Sequence, residues 1–275
     1  MNSRERLLTA LNHQEPDHIP FDLGSTQVTG IHVMAYHNLR QALGLPPVEA
    51  QLCDAIQQLA LPDDDLIERL GVDVRGLFPL NSHNWNVHEQ DMGNDWLYHD
   101  EWGITHRRPK PDGLYYSIVQ VPLETSALTA QNIEQHPWPD MADPQRIAGL
   151  RKQAERYRAA GYAVVLKSPF AGLFETAQRI VGMENCLLMM ASDKKLAGTL
   201  FDKLLALKLS FWDMALPQLA DMVDVVAEFD DYGTQTSQLI SPRMFRQQLK
   251  PRLKVLFERI RRLAPNARRF FHSCG

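Results

Sequence analysis

Leu196, Leu200, Leu204, Leu207 and Phe211 recur at spacings of four and three, the period of an α-helix with one apolar face. Phe245, Leu249, Leu253, Leu256, Ile260 and Leu263 repeat that rhythm. Ser241 and Pro242 fit the N-cap and first turn of this helix, and Pro251 kinks or divides it. A third, more polar helix is expected over 144–160, ending at Gly161. Between these helices stand short apolar runs: "YAVVLKSPF" (162–170), "VDVVAEFDD" (223–231) and "ARRFFHSCG" (267–275). Short apolar runs alternating with long helices predict βαβ units and a parallel sheet.

Upstream the rhythm is less regular. Asn2 with Glu5 resembles a capping box for a helix carrying Leu7, Leu8 and Leu11, which Pro16 and Pro20 end. "IPFDLG" (19–24) reads as extended, 31–43 as helix, "PDDDLIERLG" (62–71) as a capped helix and "VDVRGLFPL" (72–80) as a strand. Parallel strands are therefore expected near 19–24, 72–78, 163–168, 223–230 and 268–272. Residues 83–125 differ, with many aromatics, Gly103, Gly113 and strand-like pieces such as "LYYSIVQV". They suggest an antiparallel, lid-like excursion from a single domain spanning 1–275.

Composition narrows the class. At 275 residues and 44% hydrophobic, the chain can bury a sizeable core. The 29 Lys+Arg against 33 Asp+Glu give a net charge of -4 without long runs of one sign, which argues against a nucleic-acid partner. No apolar run is long enough for a membrane span, and the first residues lack the apolar region of a secretory signal. Three Cys make no disulfide framework. The expectation is a cytoplasmic protein with reduced thiols.

Three successive strands turn polar at their C-terminal ends: "KSPFAGLFE", "EFDDYGTQ" and "HSCG". In a parallel α/β barrel those ends form the active-site face, and an open α/β sheet shows the same pattern. His272 and Cys274 stand two apart on a strand and so share a face. Imidazole and thiolate both suit Zn²⁺, but two ligands alone describe a small buried Cys beside a hydrogen-bonded His at least as well. Asp230 and Asp231 are the candidate catalytic carboxylates, or else an Asx-turn or helix cap, with Glu228 on the same face as Asp230. Glu175 and Gln235 are candidate substrate contacts, although a first-turn helix position suits Glu175 better. Cys53 and Cys186 read as small apolar groups in helical stretches. "HRRPK" (106–110) reads as a solvated hairpin turn or a grip for an anion, and "NSHNWNVHEQ" (81–90) as loop.

The pieces "RERLLTALNHQEPDHIPFDLG", "VDVRGLFPL", "EFDDYGTQTSQLISPRMFRQQLKPRLK" and "FFHSCG" together resemble the uroporphyrinogen decarboxylase superfamily, in order along the whole chain. The resemblance implies a (β/α)8 TIM barrel with its site at the strand C-terminal ends, here an incomplete barrel of about five strands. It also implies a choice between two branches. Decarboxylases carry an Arg-bearing loop after the first strand, where "GSTQVTGIHVMAYHNLR" stands here. They also carry an aspartate where this chain has "LFPLN", and a tyrosine where it has "LFETAQRI".

The other branch resembles the corrinoid-linked methyltransferases, which hold zinc through His-x-Cys and a distant Cys. His272 and Cys274 match the first two ligands, and the resemblance places a third ligand beyond residue 275. It implies a methyl group moving between a corrinoid (methylcobalamin) on a partner protein, or a small methylated donor, and a thiol acceptor. Porphyrinogen decarboxylation and an inactive fragment are the alternatives. A barrel of five strands would expose sheet edges, so completion by a partner or homo-oligomerisation is a further expectation.

Overall fold

The computed structural model describes residues 1–83, 89–124 and 127–274. Strands Val74–Leu77, Ala163–Lys167, Val225–Phe229 and Arg268–His272 form one parallel sheet in which chain neighbours are sheet neighbours. The registers pair Leu77 with Leu166, Lys167 with Ala227 and Phe229 with His272. Parallel pairing requires a crossover between successive strands, and helices supply it. Leu173–Val181, Met183–Ser192 and Lys194–Leu219 lie between the second and third strands, and Lys250–Leu263 lies between the third and fourth. Among the described residues the sheet holds four strands and does not close into a full barrel.

The two central strands are buried along their whole length, as parallel strands covered on both faces must be. Their side chains alternate between two environments. Val164, Leu166 and Val226 join the large core built with the helices. Val165, Val225, Ala227 and Phe229 pack with Val74 and Leu7 on the other, concave face. Each such aliphatic side chain contributes roughly 1.5–3 kcal/mol when fully withdrawn from water.

At the N-terminal end of the sheet, helix Ser3–Leu11 is held by two Arg–Asp pairs. Arg4 Nε donates to Asp224 at 2.8 Å, and Arg6 Nη1 donates to Asp73 at 2.5 Å. Both aspartates directly precede strands, so the helix ties two strand entries together. Its capping box is formed by Asn2 and Glu5.

Residues 19–24, expected as a fifth parallel strand, lie beside the sheet without joining its ladder. Asp73 N donates to Phe21 O at 2.8 Å, and Phe21 N turns to the Asp73 carboxylate at 2.9 Å. Pro20 has no N–H to offer, and Gly24 turns the chain at φ 81°, so pairing stops there. The expected helix over 144–160 is also divided: Gly149 adopts φ 77° between a short 3-10 turn, Pro144–Ile147, and helix Leu150–Ala159. Phe245–Leu249 forms a π turn before Lys250–Leu263, which takes Pro251 into its first turn, where a missing N–H costs nothing.

The aromatic excursion folds as a four-stranded antiparallel sheet, Glu89–Asp91, Asp95–His99, Thr105–Pro109 and Ser117–Gln120, paired in sequence order. The reading of residues 83–125 falls partly outside the described residues, as does half of the 81–90 stretch. His106 to Pro109 lie in a strand of this sheet rather than in a turn, and His106 is buried against Asp100. Cys53 is likewise not helical. It belongs to Leu52–Asp54, which pairs with Leu59–Ala60 in a second small antiparallel sheet. Among the described residues no helix is long and apolar enough to cross a membrane.

Candidate metal-binding site at the strand ends

A cavity of about 720 Å³ opens over the C-terminal ends of the parallel strands. Lys167, Asp231, His272 and Cys274 reach it from the sheet, Glu175 and Arg179 from helix Leu173–Val181, and Cys53 and Asp54 from the small antiparallel sheet. The polar switch at each strand end thus comes from a physical division. Below it, the concave face is filled by valines and Phe229; above it, the chain leaves the sheet and can present polar groups to solvent.

His272, Cys274 and Asp231 converge at the edge of this cavity. Cys274 Sγ lies 3.5 Å from His272 Nε2, and His272 Nε2 lies 3.7 Å from Asp231 Oδ1. One potential ligand atom from each of the three residues falls within 4.8 Å of the other two. Zn–N near 2.0 Å and Zn–S near 2.3 Å at a tetrahedral angle put those donors about 3.5 Å apart. The thiol and imidazole therefore already stand at a zinc-compatible separation. Three backbone links between the adjacent strand ends hold the cluster: Asp230 N to His272 O at 3.0 Å, Tyr232 N to Ser273 Oγ at 3.1 Å, and Cys274 N to Asp231 Oδ1 at 2.8 Å. Burial and the Asp231 carboxylate raise the Cys274 pKa, with Glu175 adding to the effect, so the free thiol keeps its proton.

Asp230, the other member of the pair, has a different place. It is fully buried, and its carboxylate accepts from Phe174 N at 3.1 Å, Glu175 N at 2.9 Å and the Tyr232 hydroxyl at 2.7 Å. It caps helix Leu173–Val181 from a neighbouring strand, because Gly172 at the N-cap has no side chain to do so. A Cβ on Gly172 would lie 2.0 Å from Asp230 Cγ, so only glycine allows this approach. Burial pushes the Asp230 carboxyl up to about 6, against the opposing pull of its three donors.

The remaining candidates separate. Glu175 lines the cavity and is paired with Arg179 one helical turn on. Gln235 does not reach that cavity; with Tyr232 and Phe245 it walls a second hollow of about 660 Å³ that shares Cys274. Glu228 is buried and faces the helices, accepting from Lys208 Nζ and Trp212 Nε1, each at 2.6 Å. Lys208 also donates to Ser168 Oγ at 2.6 Å and Phe170 O at 3.2 Å, and so pins the start of the loop that leads to Gly172.

Several cavity residues escaped the sequence reading, Lys167, Arg179 and Asp54 among them, and Cys53 reads in the sequence as a small apolar group in a helix. Lys167 stood in plain view inside "KSPFAGLFE", at the point where the strand turns polar. Cys53 and Asp54 carried no such signal, because they reach the cavity through long-range placement of a small sheet. Burial pushes the Cys53 thiol up to about 11 and the Cys186 thiol up to about 12, as expected for reduced, unreactive groups.

Comparison with known proteins agrees with this architecture. A solved methyltransferase from Methanosarcina mazei superposes on 100% of this chain and 70% of its own, with a TM-score of 0.53 and 19% identity. At that identity the likeness is one of fold. No curated protein matches the sequence. Residues 118–275 match the family model described as uroporphyrinogen decarboxylase (URO-D). That match spans more than half of the sequence and includes the parallel strand ends that carry Asp231, His272 and Cys274, so this chain belongs to the uroporphyrinogen decarboxylase family.

Proposed function

We propose that this chain is a methyltransferase of the uroporphyrinogen decarboxylase family, one that passes a methyl group from a corrinoid held by a partner protein to a small thiol at a zinc site. The observation that supports this most is the convergence of His272 Nε2, Cys274 Sγ and Asp231 Oδ1 within 4.8 Å at the cavity edge. A soft nitrogen, a soft sulfur and one carboxylate oxygen form a donor set suited to zinc, with a fourth position left for a ligand or substrate. The zinc would supply positive charge that makes a bound thiol acidic enough to be a nucleophile near neutral pH.

The protein's own contribution is placement. The Asp231–Cys274 and Asp230–His272 backbone bonds fix the donors before anything binds, which lowers the ordering cost of assembling the site. Asp231 also holds negative charge beside His272, favouring one ring orientation. Phe174, Tyr232 and Phe271 stack beside the strand ends, with centroids 6.1 and 6.2 Å apart, and brace the turn that carries Asp231. The solved Methanosarcina mazei protein that shares this fold is a methyltransferase, which supports the reading. The decarboxylase reading has less support: the "LFPLN" segment brings no carboxylate to the cavity, and Arg179, the cavity's arginine among the described residues, is already paired with Glu175.

The test is transfer from methylcobalamin to 2-mercaptoethanol by the purified chain, followed by the visible absorbance of the corrinoid. Zinc-loaded protein is expected to catalyse transfer, chelated protein to lose it, and Cys274→Ser to abolish it. Undiminished transfer by Cys274→Ser would overturn the reading, as would zinc-independent release of carbon dioxide from uroporphyrinogen.

A further inference from the structure

Lys167 closes the strand Ala163–Lys167 and is only 6% exposed, yet its ammonium makes no hydrogen bond or ion pair among the described residues. Its ammonium lies 5.5 Å from the Phe78 ring centroid, and Asp54, Cys53 and Lys208 stand near enough to act on its charge. The contrast with Lys208 is instructive: that lysine, more deeply buried still, has three acceptors. A mostly buried side chain whose ammonium opens on a cavity and has no hydrogen-bond acceptor is the kind of group a ligand completes.

Lys167 points into the cavity rather than the helical core. It shares a face with Val165, which belongs to the concave cluster, and it lines the cavity over that cluster. Arg179, the other cation lining the cavity among the described residues, already has Glu175. Lys167 pairs in register with Ala227, Ala227 pairs with Phe270, and His272 lies two residues further along the same face. Two strand spacings and one two-residue step separate the Lys167 and His272 backbones by roughly 12 Å. With the lysine side chain reaching inward from one end, a ligand of a few carbons spans the remainder.

We propose that Lys167 anchors the oxyanion of a small ligand, a carboxylate or a phosphate, whose other end lies at the His272–Cys274 pair. The position of that other end rests on the methyl-acceptor reading; the anion anchor itself does not. Burial brings the Lys167 ammonium down to about 8, with Lys208 adding to the effect and Asp54 and Cys53 opposing it. At neutral pH the ammonium is still mostly charged, and an incoming oxyanion gives it the hydrogen-bond acceptor it lacks among the described residues. Cys53, its thiol raised by burial to about 11, keeps its proton between pH 7 and 9.5, whereas Lys167 loses its charge over that range.

Calorimetric titration of the whole chain with butanoate, butyl phosphate and 1-butanol tests this. The anions are expected to bind at least tenfold more tightly than butanol at pH 7, and the tighter of the two identifies the ligand class. Lys167→Met should reduce both anions to the level of butanol, whereas Lys167→Arg should retain part of the preference. Raising the pH to 9.5 should weaken butanoate binding about tenfold in the wild type and leave Lys167→Arg unchanged. If Lys167→Met does not fold, the wild-type and Lys167→Arg pH profiles decide alone. An anion preference that survives in Lys167→Met, or is missing from the wild type, overturns the proposal. Because butanoate has no thiol, this result is independent of the zinc reading. Failure of 3-mercaptopropionate to outbind butanoate would instead count against the thiol site.

Discussion

Cys274 donates its backbone N–H to Asp231 Oδ1 at 2.8 Å, so one bond joins a proposed metal ligand to the carboxylate that stands beside the other. Asp231 follows the Val225–Phe229 strand, and Cys274 follows Arg268–His272. The bond therefore spans the two sheet neighbours at their exit and sets the distance between their side chains. A loop of the same sequence, free of the sheet, would have no reason to bring these groups together.

Zinc should bind to this arrangement, and the trio should share the work. Competition with a chromogenic chelator is expected to show about one ion per chain. His272→Ala, Cys274→Ser and Asp231→Asn should each weaken binding by at least about tenfold. Cys274 is exposed at a strand end, so Cys274→Ser should change stability by no more than about 0.5 kcal/mol. Equal zinc affinity in all three variants would remove the site.

Asp230→Asn tests the cap. An amide has one oxygen for two backbone donors, so either Phe174 N or Glu175 N loses its partner, at a cost of about 1–3 kcal/mol. The pH dependence carries a definite sign. The Asp230 carboxyl is raised from 3.8 to about 6, so its contribution is fully present below pH 4 and is lost as pH rises through 6. The stability gap between wild type and Asp230→Asn should narrow from pH 4 to pH 7. Denaturation curves that stay parallel across that range would refute the raised value.

Gly172→Ala should be more disruptive than its size suggests. Its Cβ would meet Asp230 Cγ at 2.0 Å and Cβ at 2.1 Å, so either the strand end or the helix start must shift. Overpacking of this kind costs about 1–3 kcal/mol, and the shift falls beside Asp231. A lowered melting temperature together with weakened zinc binding is expected. A fully stable Gly172→Ala with normal zinc affinity would show that the approach is looser than the geometry implies.

Lys208→Met should destabilise by about 3–5 kcal/mol, since it leaves Glu228 charged, buried and short of a partner. Replacing both members, as Lys208→Met with Glu228→Leu, should recover part of that loss. Chemical denaturation of the wild type, the single variant and the double variant distinguishes this from simple loss of packing, for which the double would be the worse protein.

Much of the fold was legible because it is written in short-range periodicity. Leu196 to Phe211 mark a helix, and "VDVVAEF" marks a strand, whatever surrounds them. Strands near 72–78, 163–168, 223–230 and 268–272 are all present and parallel. The misplaced fifth, 19–24, had the right hydrophobicity but carried Pro20, whose missing N–H breaks a ladder. His272 and Cys274 were visible as a pair because two residues on one strand must share a face.

The division of labour between Asp230 and Asp231 was not visible, because adjacent residues at a strand end leave it in directions set by what each can reach. Packing turned Asp230 into a helix cap, where Gly172 opens a gap for it, and left Asp231 beside Cys274. Cys53 and Asp54 entered the cavity for the same kind of reason, whereas Lys167 stands at a strand end that the sequence already marks. Local pattern settles which residues can form an element, since its forces act over three or four positions. Which side chains meet across 40 to 200 residues depends on sheet order and register, and those emerge only when the whole core packs.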